Sequence, residues 1–125
     1  MRAVQSLDGM FKLLASLPAE ARHGMVGMYC VALESHLALL SQSLAQGKTQ
    51  ETMAAAHKIA GSAGMMQDQE VSRAARAIEA ALRGGREEEA MRHWASMQDS
   101  VNFTLECLRQ AHPRPLKKQE SPASG

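Results

Sequence analysis

One histidine stands among small residues in the stretch Ala54 to Gly64, AAAHKIAGSAG. A neutral imidazole is a nucleophile near pH 7. It needs neither a metal nor a triad to be phosphorylated if a partner brings an activated phosphoryl group. Phosphoryl transfer is mostly positioning and charge stabilisation, and both can be supplied in trans. A histidine doing this work must protrude and be uncluttered. The stretch reads as helix, yet Gly61 and Gly64 interrupt it, and each glycine in a helix interior costs roughly 0.5–1 kcal/mol against alanine. That cost is explained if something large must come close to His57.

Helical phase supports this. At ~100° per residue with Ile59 at zero, Ala55, Ala56, Ala63 and Met66 fall within about 60° of it and form one apolar face. His57 lands near ~160°, with Gly61, Gly64, Ala54 and Gln50 within about 60° of it. The midline of this outward strip carries no charge, whereas a solvated helix face normally carries Lys and Glu. The bland alternatives are a surface or capping histidine, and glycines that admit a neighbouring helix of the same chain.

Other chemistries find less support. The order Gly-x-x-x-x-Gly-Lys-Ser/Thr of a phosphate-binding loop is absent. Histidines 23, 36, 57, 93 and 112 make no His-x-x-x-His pair, so no metal site is expected. Glu89 and His93 are one turn apart and read as a surface contact. No spacing suggests a Ser-His-Asp or Cys-His constellation. Ser62 lies at the edge of the apolar face and is expected to bond back to a helix carbonyl.

The elements that must position His57 are helices. Of 125 residues, 45% are hydrophobic but only 3% aromatic, and Ala, Leu and Met are helix formers and adaptable core fillers. A short helix is predicted over 7–16, with Met10, Leu13, Leu14 and Leu17 as its stripe. Pro18 opens a second that runs to about Gln46, with Val26, Cys30, Leu33, Leu37, Leu40 and Leu44 inward. Gly47 ends it as a left-handed residue. Thr49 caps the third, which carries His57, and Asp68 caps the fourth. Val71, Ala75, Ile78 and Leu82 are the stripe of the fourth, and Gly84-Gly85 closes it. The fifth spans about 87–110, with Met91, Trp94, Met97 or Gln98, Val101, Leu105 and Leu108 inward and Glu87, Glu88 and Glu89 at the positive end of its dipole. Short loops make sequential helices antiparallel neighbours. The expected fold is therefore all-α: an antiparallel up-down-up-down four-helix bundle with a short additional N-terminal helix, over 1–111. The remainder, 112–125, has three prolines and little apolar content, and is expected to be disordered.

The formal net charge is +1. The tail carries Arg114, Lys117 and Lys118 against Glu120, so its +2 leaves −1 on the body. Without a basic stripe, no nucleic-acid partner is expected. Asp8 and Lys12 break the apolar core that a signal peptide would need. No run is read as approaching the roughly 20 apolar residues of a membrane span. The expected location is the cytoplasm, and Cys30 and Cys107 are expected to be reduced, buried thiols.

The stretch from His57 to Gly64 resembles the motif of the histidine-containing phosphotransfer (HPt) domain, roughly His-x-Leu-Lys-Gly-Ser-Ser/Ala. Motif resemblance covers about residues 53–83, and the bundle extends it across about 7–111. The resemblance implies a phosphorelay carrier without kinase activity of its own. His57 would take a phosphoryl group from a receiver-domain aspartate and pass it to a second receiver. The partners implied are receiver domains of hybrid histidine kinases and response regulators. The receiver would bring the acidic pocket and Mg2+, so no cofactor is expected on this chain. Gly61, Gly64, Ala54 and Gln50 would leave room for the phosphoryl group and the partner. Met25, Met28 and Tyr29 on the second helix are a possible docking surface, unless they pack on the first helix. The sequence departs from the pattern at Ala60, where relatives commonly carry Lys. Lys58 is adjacent but about 100° round the helix, and is a candidate replacement. Relatives often carry Gly where this chain has Gln67, at the turn into the fourth helix. The rival reading is a non-catalytic helical adaptor that binds a signalling partner through the same face.

Overall fold

The computed structural model describes residues 5–112. It contains α1 (Asp8–Ala15), α2 (Ala19–Ala45), α3 (Thr49–Met65), α4 (Gln69–Arg83) and α5 (Glu87–Ala111). No strand occurs among the described residues. Each predicted helix is present, with ends within two residues of those expected. Helix α3 packs between α2 and α4, α4 packs on α5, and α5 returns to touch α2. The tail expectation for residues 113–125 lies outside the described residues. His112, assigned to that tail, is instead the C-cap residue of α5 and stacks on Phe11 with ring centroids 6.4 Å apart.

The three loops within the bundle end their helices by one device. After α2, the Lys48 N–H bonds the Ser43 carbonyl and the Gly47 N–H bonds the Leu44 carbonyl. Asp68 and Gln67 repeat the pattern after α3, and Arg86 and Gly85 after α4. These paired bonds satisfy carbonyls that a helix end otherwise orphans, and they require one left-handed residue. Gly47 and Gly85 supply it at φ 71° and 74°, and Gln67 adopts it at φ 64°. A side chain there costs about 1–2 kcal/mol. Gln67→Gly is therefore expected to stabilise the bundle by about 0.5–1 kcal/mol, after the greater flexibility glycine gives the unfolded chain. A raised urea midpoint checks this. The gain is below the full strain because the Gln67 side chain also lies 3.5 Å from the Cβ position of Gly9 in α1.

The inward stripe of α4 is as predicted, with Val71, Ala75 and Ile78 fully buried and Leu82 7% exposed. In α5 the phase differs by one residue near the start: Ala90 is buried, while Met91 is 51% exposed. The Thr49 hydroxyl makes no capping bond, because Thr49 is already the first residue of α3 and Lys48 holds the cap position. Asp68 does occupy the cap position of α4, where the Val71 N–H acts on its carboxyl, while its Oδ2 accepts from Tyr29 and Thr104. Cys30 and Cys107 are not joined in a disulfide, and they are half-buried against the core where full burial was expected.

Helix α2 corrects the expectation about apolar runs. By length and composition it is apolar enough to cross a membrane, with mean hydropathy 1.3 over its most apolar window. The reason is that Glu34 is the only charged residue between Arg22 and Lys48. In the fold this helix contributes Val26, Leu33 and Leu40 to the core and pairs Glu34 with Arg109 of α5 at 2.6 Å.

A buried polar cluster ties four elements together. The Tyr29 hydroxyl of α2 donates to Asp68 Oδ2 at 2.7 Å, and the Thr104 hydroxyl of α5 donates to the same oxygen at 2.9 Å. Gln5, just before α1, donates to Thr104 Oγ1 and to the Ser100 carbonyl, both at 3.3 Å. Tyr29 is therefore not a docking residue. It is 4% exposed, and burial first, then the Asp68 charge, pushes its hydroxyl far above the ordinary range.

Candidate functional site

Alanines make the third helix thin on its inner side. Ala55, Ala56, Ile59, Ala60 and Ala63 are buried and let α2 and α4 close in around it. The opposite side is open. The His57 side chain is 75% exposed. Gln50, Ala54, Lys58, Gly61 and Gly64 are all exposed with it. A Cβ built on Gly61 would meet nothing within 4 Å. Gly61 is thus small without any internal packing reason, which removes one of the two bland explanations for it.

Gly64 differs. A Cβ there would lie 3.8 Å from Ser72 Oγ and 4.0 Å from Arg76 Nη2. Side chains that reach across from α4 come to ordinary contact distance of it. Met28 is 75% exposed, whereas Met25 is half-buried against the core, so of the three α2 residues only Met28 is fully available to a partner. Ser62, expected to bond to its own helix, makes no such side-chain bond, and it is Ser72 that donates to a helix carbonyl, that of Ala60, at 3.1 Å.

Residues of α4 complete the site. His57 Nδ1 faces Glu79 Oε1 at 3.4 Å, and Arg83 donates to Glu79 Oε2 at 2.9 Å. Glu79 is only 17% exposed, so its carboxylate is held beside a solvated ring. This contact favours the tautomer that carries its hydrogen on Nδ1 and leaves the Nε2 lone pair free. Ser72, Arg76, Glu79 and Arg83 each follow by one residue a member of the buried stripe Val71, Ala75, Ile78 and Leu82. They form the next stripe round the helix, along the seam with α3. The sequence carried that signal, but periodicity alone does not tell which flank of α4 borders α3.

No group of three or more His, Cys, Asp or Glu side chains among the described residues could hold a metal. What remains is one exposed imidazole, oriented at one nitrogen and unobstructed at the other, next to a bare stretch of helix. A family model described as Hpt domain matches residues 24–112. The chain belongs to the Hpt domain family. The match takes in α3, α4, α5 and nearly all of α2, and so includes every residue of the seam. No curated protein and no solved structure matches the chain. Hpt domains are phosphotransfer carriers and not kinases, and they act with receiver domains in phosphorelays.

In this Hpt domain, Glu79→Ala is expected to slow phosphoryl transfer about tenfold by releasing the ring, without weakening partner binding. Glu79→Gln, which can still accept from Nδ1, should fall between the two. Single-turnover rates at saturating partner, alongside a binding titration, test this.

Proposed function

We propose that His57 is the phospho-acceptor of an intermediate carrier between two receiver domains. The Nε2 lone pair attacks the phosphorus of a receiver's aspartyl phosphate. The Nε2–P bond forms as the P–O bond breaks, and the aspartate carboxylate leaves with the electron pair. The ring then carries positive charge and keeps its Nδ1 hydrogen, which the Glu79 carboxylate stabilises. The protonated ring is a good leaving group, so the second receiver's carboxylate can take the phosphoryl group and return a neutral imidazole. Mg2+ and the acidic pocket belong to the receivers, which are those of hybrid histidine kinases and response regulators. The helices run up-down-up-down as an antiparallel four-helix bundle with α1 across one end, an arrangement supported by their short loops and neighbour packing. The carrier works in the cytoplasm, where such receivers would meet it.

The observation that carries this reading is the exposed His57 ring beside a Gly61 that nothing in the fold requires. A plain adaptor would need the shape of the strip but not the imidazole. His57→Gln should therefore bind a receiver with unchanged affinity and carry no phosphate from it. If His57→Gln still relays phosphate, the assignment fails. If it cannot bind, the histidine serves docking and the adaptor reading takes over.

A further inference from the structure

We propose that Arg76 of α4 supplies the cation for the phosphoryl group on His57, in place of a basic side chain at position 60 of α3; this rests on His57 being the acceptor. A phosphoryl group brings close to two negative charges. On this seam it would arrive beside the Glu79 carboxylate, so like-charge repulsion opposes it unless a cation is near. Ala60 cannot help: it is 4% exposed, and its carbonyl is already bonded by Ser72. Lys58 is exposed, but lies about 100° round α3 from His57.

Among the α4 cations, two are engaged. Arg83 holds Glu79 at 2.9 Å, and Arg73 holds Glu70 at 3.3 Å. None of the ion pairs among the described residues includes Arg76. Its position is bracketed by two contacts that cross the seam, Ser72 to Ala60 and Glu79 to His57. Its Nη2 reaches across the seam to Gly64, 4.0 Å from where a Cβ there would stand. An exposed, uncommitted guanidinium on a long stem can swing along the seam to the phosphoryl oxygens, and its planar fork suits them. The cation thus rests at the Gly64 end of the strip, while Gly61 clears the approach.

The test uses phosphoramidate as donor, so that no partner protein contributes a docking surface. Nε2–P forms as the donor's P–N bond breaks and ammonia leaves. Initial rates of acid-labile phosphate on the whole chain are compared for wild type and for Arg76→Lys, Arg76→Gln and Arg76→Glu. The expected order follows charge, with Lys near wild type, Gln about tenfold slower and Glu slower still. Tenfold is below the ~10²-fold cost of removing a buried donor, because this guanidinium is solvated. Equal rates for all four, or a loss in Lys as large as in Gln, would overturn the role of Arg76. Label on His57→Gln would instead sink the acceptor assignment, which keeps the two failures apart.

Discussion

Gly61→Leu is expected to cut transfer from a phosphorylated receiver by about 100-fold or more, the cost of misplacing reacting groups by around an ångström. The same change should leave stability unchanged or raise it by up to about 0.8 kcal/mol, because leucine is a far better helix former than glycine. The two effects separate because a Cβ at 61 would meet nothing within 4 Å beyond its own helix, so a side chain there starts outward from open space. A docked partner is what such a side chain would obstruct. A thermal melt with a transfer rate on the same sample tests the pair of claims. A variant that relays phosphate normally would show that the open strip is not the path of approach.

The second large effect concerns stability. Asp68 is fully buried and accepts from both Tyr29 and Thr104 through Oδ2. Asp68→Ala would orphan two buried hydroxyl donors, at about 1–3 kcal/mol each, so a loss of about 3 kcal/mol is expected in urea unfolding. The pH dependence has a definite sign. Burial raises the Asp68 carboxyl above its ordinary value of 3.8, against the opposing pull of the Tyr29 and Thr104 hydroxyls and the Val71 N–H. The folded chain therefore holds this proton more tightly than the unfolded chain does. Its contribution to stability is fully present below 3.8 and is lost as pH rises through the folded value. A carboxylate in a salt bridge would behave in the opposite way. Asp68→Asn should flatten this part of the stability profile, read as the difference from wild type across the acid range. A difference that grows with the opposite sign would mean the carboxylate is stabilised in its charged form.

Much of this was legible in the sequence because helices advertise one face at a time. The buried stripe of α4, the left-handed residue at Gly47, the helix end at Gly84-Gly85 and the outward phase of His57 with Gly61 all follow from local geometry. Relations between helices were not legible in the same way. Tyr29 sits beside Met28 in an apolar stretch, which left docking surface and packing on the first helix both open. Its partner Asp68 lies thirty-nine residues away, and no periodicity links them. Glu79 and Arg76 lie off the buried stripe of α4, and only the packing shows that their flank borders α3. The role of Gly64 likewise depends on where a side chain from another helix comes to rest. The departure at Ala60 was visible, but its consequence was not, because the compensating charge is on the next helix.

The most direct test of the central claim is to expose the full chain to a phosphorylated receiver with Mg2+ and map the phosphate it acquires. The prediction is acid-labile, base-stable phosphate on one peptide, the one containing His57, and none on the His57→Gln variant. Phosphate on His23, His36, His93 or His112 instead, or none from any receiver tried, would contradict it.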